Sequence, residues 1–129
     1  MFKLVKKDDM GDAPIFLMPT TASEVYSDGE ALVLTAGKLT KCGVTASPTH
    51  IALKPYFAPA TGNKDLPVIR VQKNHVYETT TAIDLTAVVG DKVTLHTDGL
   101  KVTTTTVSGV AEIVAISGTV AGSKIQVRI

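Results

Sequence analysis

The chain has 129 residues, a single cysteine and a formal net charge of +1, which suits one domain with one hydrophobic core. The near-neutral charge gives no electrostatic reason to expect nucleic acid, an anionic membrane or an acidic substrate, and a lone cysteine excludes an internal disulfide. Sixteen valines and eighteen threonines are present, and these β-branched residues favour strands. We therefore expect an all-β domain.

The first twelve residues lack the apolar run of a secretion signal, and acidic residues arrive where such a run should begin. No apolar stretch approaches the roughly 20 residues that a membrane helix needs. We expect a soluble protein made in the cytoplasm. We also expect residues 1–28 to form an extended N-terminal segment and residues 29–129 to form a single β domain.

Two prolines bracket an apolar patch in the N-terminal segment, which consists of Ile15, Phe16 and Leu17. Proline disfavours helix in the residue before it, so the patch should be extended. It is either an ordinary first strand or an arm that lies across a neighbouring subunit, with these three residues as anchors.

Residues 90–116 give the clearest β pattern in the chain. Val93 and Leu95 alternate with polar residues, and Asp98-Gly99 is a hairpin signal. In residues 110–116 the odd-numbered and the even-numbered positions are both apolar except for Glu112, as expected of a central strand that is covered on both faces.

Residues 29–53 resemble a degenerate copy of this stretch. The segment from Gly29 to Leu34 aligns with the segment from Gly90 to Leu95, and an apolar strand follows a Gly-Val pair in both copies. The turn of the first copy should lie at Ala36-Gly37. The alignment predicts an internal pseudo-duplication.

The stretch between the two copies, YFAPATGNKD, is rich in turn-forming residues and should be a protruding loop. It supplies further candidate partner contacts, which are Tyr56, Phe57, Asn63 and Lys64. Tyr56 and Phe57 are also the only obvious aromatic platform for a sugar, although both may equally belong to the core.

Residues 66–73 and 76–81 are predicted to form a second hairpin, and residues 124–129 alternate strictly as a last strand. About nine or ten short, mainly antiparallel strands result. We expect a compact β-sandwich or a partly open β-barrel.

Nothing in the sequence specifies a reaction. Cys42 could pair with one of three scattered histidines, but the spacing gives no support and a lone cysteine in a β-rich core is commonly a small hydrophobe. His50, His75 and His96 lack paired zinc-ligand spacing and should be solvent-facing or capping residues. We expect no catalytic residue, no cofactor and no metal ion.

The acidic turn at Asp8, Asp9 and Asp12 fails the calcium-loop pattern, and no glycine-rich phosphate loop is present. The basic residues are dispersed and do not interleave with aromatic residues, which disfavours nucleic-acid binding. The threonine run from Thr103 to Thr106 should be an ordinary exposed strand. The alternative is a sheet edge presented to a partner subunit, where hydroxyls pair across strands.

Two stretches carry a family resemblance, GEALVLTAGKLTK and the closing VGDKVTLHTDGLKVTTTTVSGVAEIVAISGTVAGSKIQVRI. Over residues 24–129 the chain resembles head decoration, or capsid cement, proteins of tailed phages and prophages. The resemblance implies a non-enzymatic structural protein of the virion that binds the major capsid protein and stabilises the outer surface of the shell. It also implies a homo-oligomer, with a trimer favoured, made in the bacterial host cytoplasm, with no nucleic-acid or membrane partner.

Unlike some proteins of that functional class, the chain has no long arm rich in proline, glycine and alanine. Two alternatives stay open, a tail or head-fibre component of the virion and a β-sandwich module that binds a glycan or a protein.

Overall fold

The computed structural model describes residues 1–7, 13–60 and 65–129. These ranges contain thirteen strands and no helix, which confirms the all-β class. Accordingly, no helix that could cross a membrane occurs in them. The strands are β1 (Lys3–Lys6), β2 (Ile15–Pro19), β3 (Val25–Tyr26), β4 (Ala31–Thr35), β5 (Lys38–Lys41), β6 (His50–Ala52), β7 (Tyr56–Phe57), β8 (Asp65–Arg70), β9 (Val76–Thr81), β10 (Lys92–Val93), β11 (Lys101–Val102), β12 (Ala111–Ile116) and β13 (Lys124–Arg128).

One large sheet has the strand order β2-β8-β6-β4-β5, with all neighbours antiparallel. Thr20, the residue after β2, forms a parallel bridge with Leu39 of β5. The two edge strands of the sheet therefore meet at this point. We call the resulting partly closed unit the N-terminal barrel.

The other large sheet contains the path β9-β13-β12-β10, again antiparallel. Leu95, two residues beyond β10, bridges Val102 of β11, and β11 pairs with β9 in parallel. This path also returns to its first strand, and we call it the C-terminal barrel. β1 pairs with the start of β9 and lies on the same edge as β11.

The two barrels share one topology. Numbered from one to five in chain order, the strands of each barrel follow the spatial order one, five, four, two, three, and the third strand meets the first in parallel. The registers match as well. In the N-terminal barrel, Val68 lies between its cross-strand partners Phe16 and Ala52. In the C-terminal barrel, Val127 lies in the same way between Tyr77 and Ile113.

Residues at equivalent positions are separated by a constant number of positions along most of the chain. Such pairs are Phe16 with Tyr77, Thr20 with Thr81, Leu34 with Leu95, and His50 with Ala111. The predicted pseudo-duplication is therefore visible in both strand order and register, and it follows the alignment of Gly29–Leu34 with Gly90–Leu95.

The apolar core has two parts. The interior of the N-terminal barrel holds one cluster, which consists of Tyr26, Leu32, Leu39, Ala52, Ala58, Leu66 and Val68. The outer face of the same sheet carries Ala31, Ile51 and Ile69, and these residues share a larger cluster with the interior of the C-terminal barrel. The sheet of the N-terminal barrel is thus apolar on both faces.

The sheet of the C-terminal barrel is apolar on its inner face only. Its outer face carries the charged residues Lys92, Glu112 and Arg128 in one cross-strand row. The interior position predicted for residues 110–116 is confirmed, because β12 lies between β13 and β10. Coverage on both faces is not, because the outer face of β12 is partly exposed.

The predicted turns are largely confirmed. Thr35 pairs with Lys38 across Ala36 and Gly37, whose φ angles are 49° and 78°, as a two-residue hairpin turn requires. In the second copy, the N–H of Gly99 donates to the carbonyl of His96 at 3.0 Å.

The second predicted hairpin is wrong. β8 belongs to the N-terminal barrel and β9 to the C-terminal barrel, so the turn between them carries the chain from one sheet to the other. A polar turn specifies a change of direction but not the partner of the strand that follows. The strand count exceeds the expected nine or ten because four strands, β3, β7, β10 and β11, have two residues each, too few to show a period.

The described part of residues 1–28 contributes strands to both barrels. β1 pairs with β9, and β2 pairs with β8 over five residues. Phe2 is buried in the larger cluster. Contact of this segment with a neighbouring subunit stays a prediction.

Candidate binding surfaces

One end of the N-terminal barrel is filled and the other is open. Tyr26 and Ala58 belong to the cluster that fills the interior. At the open end lies a groove of about 410 Å³ whose lining includes Phe16, Met18, Leu34, Thr49, His50 and Arg70. We call this cavity the barrel groove.

Strand alternation places two polar side chains in this groove. Along β8, Leu66, Val68 and Arg70 share a parity, and the first two are fully buried in the barrel. His50 pairs with Arg70 across the adjacent strand β6. Arg70 therefore continues the inward-facing row, and its side chain is exposed at the mouth of the barrel.

His50 is 6% exposed and makes one side-chain hydrogen bond within the described residues. Its Nδ1 lies 2.9 Å from the Thr49 hydroxyl, which itself accepts the N–H of Leu34 at 3.0 Å. Burial, and secondarily the positive charge of Arg70, lowers the pKa of His50 below its ordinary value. The imidazole is thus neutral at pH 7, and Nε2 has no protein partner among the described residues.

Three equivalent positions of the C-terminal barrel are more deeply buried. Tyr77, Leu95 and Ala111 stand at the positions of Phe16, Leu34 and His50, and all three are fully buried. They belong to the cluster that includes the outer face of the N-terminal barrel. The same three positions thus line a groove in the N-terminal barrel and belong to packed core in the C-terminal barrel.

A second candidate surface is the edge of β2. Ile15 and Leu17 are 65% and 64% exposed, and Phe16 between them points toward the barrel groove. On β9, the equivalent strand, this edge is covered by β1. Within the described residues no strand pairs with the first four residues of β2 on the side away from β8.

The short β3-β7 sheet adds exposed apolar residues. Val25 pairs with Phe57, and Phe57 is 70% exposed. Tyr56 is half-buried, and its ring centre lies 6.4 Å from that of Tyr26. The Lys54 Nζ lies 5.9 Å from the centre of the Tyr56 ring. Phe57 is therefore available for contact, whereas Tyr56 is partly committed to the core. Asn63 and Lys64 lie outside the described residues, as do Asp8, Asp9 and Asp12.

Cys42 is buried in the larger cluster, and its Sγ donates to the carbonyl of Ala46 at 3.0 Å. Burial raises the pKa of the thiol to about 11. A protonated, buried thiol is a poor nucleophile. The geometry agrees with the expected role as a small hydrophobe.

The three histidines occupy different environments. His75 is buried with Nδ1 3.1 Å from the Tyr77 hydroxyl, and His96 is half-exposed with Nδ1 3.1 Å from Asp98 Oδ2. The expected solvent-facing or capping role is wrong for His50 and His75, because both rings are buried. Three or more potential ligands of the His, Cys, Asp or Glu type do not cluster anywhere in the described ranges.

The threonine run is not a strand, contrary to expectation. The Thr104 hydroxyl accepts the N–H groups of Thr86 and Ala87 at 2.9 and 3.0 Å, and Thr103 and Thr94 join their hydroxyls at 2.7 Å. The Thr104 hydroxyl thus fixes the loop that precedes β10, whereas the Thr94–Thr103 pair joins the segments that follow β10 and β11.

The sequence interpretation did not find the barrel groove. Its signal was the parity of two polar residues, since Arg70 shares the parity of Leu66 and Val68, and His50 that of Ala52. The alternation predicts that these two residues face inward only once the strand pairing shows which face of each strand points into the barrel.

The chain matches no protein-family model and has no significant match among curated proteins. The resemblance to head decoration proteins therefore rests on the residue patterns alone.

Proposed function

We propose that the protein is a non-enzymatic decoration protein that binds the outer surface of a phage capsid and stabilises the shell. The resemblance of residues 24–129 motivates the proposal. The structural observation that supports it best is the edge of β2 that no described strand covers over its first four residues, with Ile15 and Leu17 exposed on one face.

An exposed apolar sheet edge favours contact with another protein. It presents unpaired backbone groups together with apolar side chains, and proteins ordinarily cover or charge such edges. The equivalent strand β9 is covered by β1, whose sequence is KLVK. A major capsid protein subunit at the edge of β2 would cover the corresponding position in the N-terminal barrel.

Decoration requires many weak contacts rather than one strong site. Copies repeated over a closed lattice gain avidity that a single copy lacks. A trimer would bridge neighbouring capsid subunits at a local threefold position. The proposal places the protein on the virion surface after synthesis in the bacterial host cytoplasm, with neither nucleic acid nor membrane as a partner.

The test is co-sedimentation of the purified protein with expanded capsids, assembled from a major capsid protein encoded beside it, together with the sedimentation coefficient of the protein alone. We expect a trimer that co-sediments with the capsids. The double variant Ile15→Ser, Leu17→Ser should lose binding and stay folded. Val107→Ser is the matched control, because Val107 is also exposed but lies far along the chain in the C-terminal barrel. A strict monomer that stays in the supernatant would refute the proposal.

A second candidate, a module that binds a glycan, draws support from the exposed ring of Phe57. Aromatic rings with a free face are common sugar platforms. Binding on a glycan array that is lost in Phe57→Ala would favour this candidate over decoration.

A further inference from the structure

We propose that the barrel groove is a binding site for a small amphipathic anion, a single apolar chain that ends in a carboxylate or a phosphate. The inference does not depend on the decoration function. It rests on the comparison of two barrels that have the same topology within one chain.

The C-terminal barrel shows which residues this architecture needs at the end of the barrel. It has Ala111 where the N-terminal barrel has His50, and Ile129 follows β13 where Arg70 ends β8. His50 is buried at this end of the barrel, whereas the Arg70 side chain is exposed at its mouth. The architecture thus accepts apolar residues at both positions, and the polar pair is a departure that folding does not require. Such departures commonly mark functional sites.

Both polar groups keep donor atoms without a protein partner among the described residues, and these atoms reach the solvent of the groove. The Arg70 guanidinium has no ion pair or hydrogen bond there, and its charge acts on His50. His50 has its Nδ1 on Thr49 and its Nε2 free. When the Thr49 hydroxyl donates to Nδ1, Nε2 carries the hydrogen and becomes a donor. An anionic oxygen group is therefore the complementary partner, since the fork of a guanidinium matches carboxylates and phosphates.

The rest of the lining specifies the body of the ligand. Phe16, Met18 and Leu34 form an apolar wall beside the two polar groups, and Phe16 and Leu34 are partly exposed although their counterparts Tyr77 and Leu95 are buried. The volume of about 410 Å³ lies in the range of roughly 300–1,000 Å³ typical of small-molecule sites, which often occupy the mouths of barrels. An alkyl chain would pack against this apolar wall.

The test uses octanoate and octyl phosphate as probes, each below its micelle concentration, with the ¹⁵N-labelled protein and two-dimensional NMR. We expect saturable shifts of the backbone amides at Leu34, His50 and Arg70. The two probes distinguish a carboxylate ligand from a phosphate ligand. Octylammonium, with the same chain and the opposite charge, should give no saturable shift.

Two variants copy the C-terminal barrel and should therefore fold, namely Arg70→Ile and His50→Ala. We expect Arg70→Ile to weaken binding of the preferred probe at least about tenfold, as the loss of a charge-assisted hydrogen bond implies, and His50→Ala to weaken it less. Arg128→Gln is the control, because Arg128 lies on the outer face of β13.

Absence of binding by both anions would overturn the proposal, and so would equal binding of octylammonium, unchanged affinity in Arg70→Ile, or shifts confined to residues outside the groove. If Arg70→Ile fails to fold, Arg70→Gln replaces it as the test variant. The comparison of octanoate and octyl phosphate with octylammonium tests the preference for an anion without any variant. Failure of the capsid experiment leaves each of these outcomes unaffected.

Discussion

Phe16 in β2 and Tyr77 in β9 occupy equivalent positions in the two barrels, yet Phe16 is 42% exposed and Tyr77 is fully buried. Tyr77 lies opposite Leu4 of β1 and within the larger apolar cluster. The beginning of β2 has no such cover in the described residues. We therefore expect the side chain at this strand position to contribute more to the free energy of unfolding in the C-terminal barrel than in the N-terminal barrel.

Truncation of these two rings should have unequal effects on stability. We expect Tyr77→Ala to lower the free energy of unfolding by about 3–5 kcal/mol, because it leaves a cavity in the core. Phe16→Ala should cost about 1 kcal/mol or less, since the ring is already partly in water. Denaturant unfolding monitored by circular dichroism measures both. Equal losses would show that the ends of the two barrels are equally packed.

Alkaline pH should destabilise the fold through Tyr26. Burial raises its pKa from 10.0 to about 12, so the neutral hydroxyl is favoured in the fold. That stabilisation is fully present below pH 10, the ordinary value, and is lost as the pH rises through about 12. The hydroxyl donates to the Leu39 carbonyl at 2.9 Å and accepts the N–H of Thr21 at 3.1 Å.

The corresponding variant is Tyr26→Phe, which should cost about 1–2 kcal/mol at neutral pH through the lost hydrogen bonds. The difference in the free energy of unfolding between this variant and the unmodified protein should become smaller between pH 10 and 12. Denaturant unfolding at several pH values measures it. A constant difference over this interval would contradict the assignment.

Cys42 should react slowly with a thiol reagent in the folded protein. Its pKa is raised from 9.0 to about 11 by burial, which lowers the thiolate fraction at pH 8 by about a hundredfold. The rate of reaction with Ellman's reagent, followed by absorbance, measures this. Labelling in denaturant is the control and should be fast. Equally fast labelling of the folded protein would place the thiol at the surface.

Thr104 should stabilise the loop before β10. Replacement by valine keeps the shape and removes the hydroxyl that accepts the N–H groups of Thr86 and Ala87. We expect a loss of about 1 kcal/mol, because water can replace part of this interaction at the surface, and faster amide exchange at Ala87. Thr106→Val is the matched control, as its hydroxyl has no hydrogen bond in the described part of the chain. A similar effect of both variants would count against the assigned role.

Gly109 permits a close approach of backbone between β10 and the start of β12. A Cβ at this position would lie 2.0 Å from the carbonyl oxygen of Lys92, so Gly109→Ala must displace backbone. We expect a loss of about 1–3 kcal/mol. In Gly118→Ala the nearest atom would be the Ser123 hydroxyl at 2.8 Å, which can rotate away, and the loss should be smaller. Thermal unfolding of the two variants provides the comparison.

Local sequence signals predicted the elements whose cause is local. The Ala36-Gly37 turn follows from backbone conformations that glycine accepts. The last strand follows from the alternation of Ile125 and Val127 with polar residues, and both are buried as predicted. The repeat was visible because Gly29–Leu34 and Gly90–Leu95 have apolar residues at the same alternate positions. Strands of two residues, such as β10 and β11, were too short to carry a pattern.

Among the candidate contacts, Ile15, Leu17 and Phe57 are exposed, and their contact with a partner stays a prediction. Phe16 differs, because its ring points toward the barrel groove. The polar lining of that groove was not predictable from parity alone. His50 was assigned to solvent because a polar residue in an amphipathic strand ordinarily lies there, and it is buried instead. Arg70 is exposed as expected, but it lies at the mouth of the groove.

By itself the sequence determined the all-β class, the main turns and the duplicated pattern, since these depend on side-chain alternation and on residues with unusual backbone freedom. Only the tertiary structure decided that β8 and β9 belong to different sheets, that each sheet returns to its first strand, and that Tyr77 and Leu95 are buried while their counterparts Phe16 and Leu34 are exposed. The physical reason is that strand partners and register come from contacts between residues far apart in the chain, and the same local pattern is compatible with several pairings.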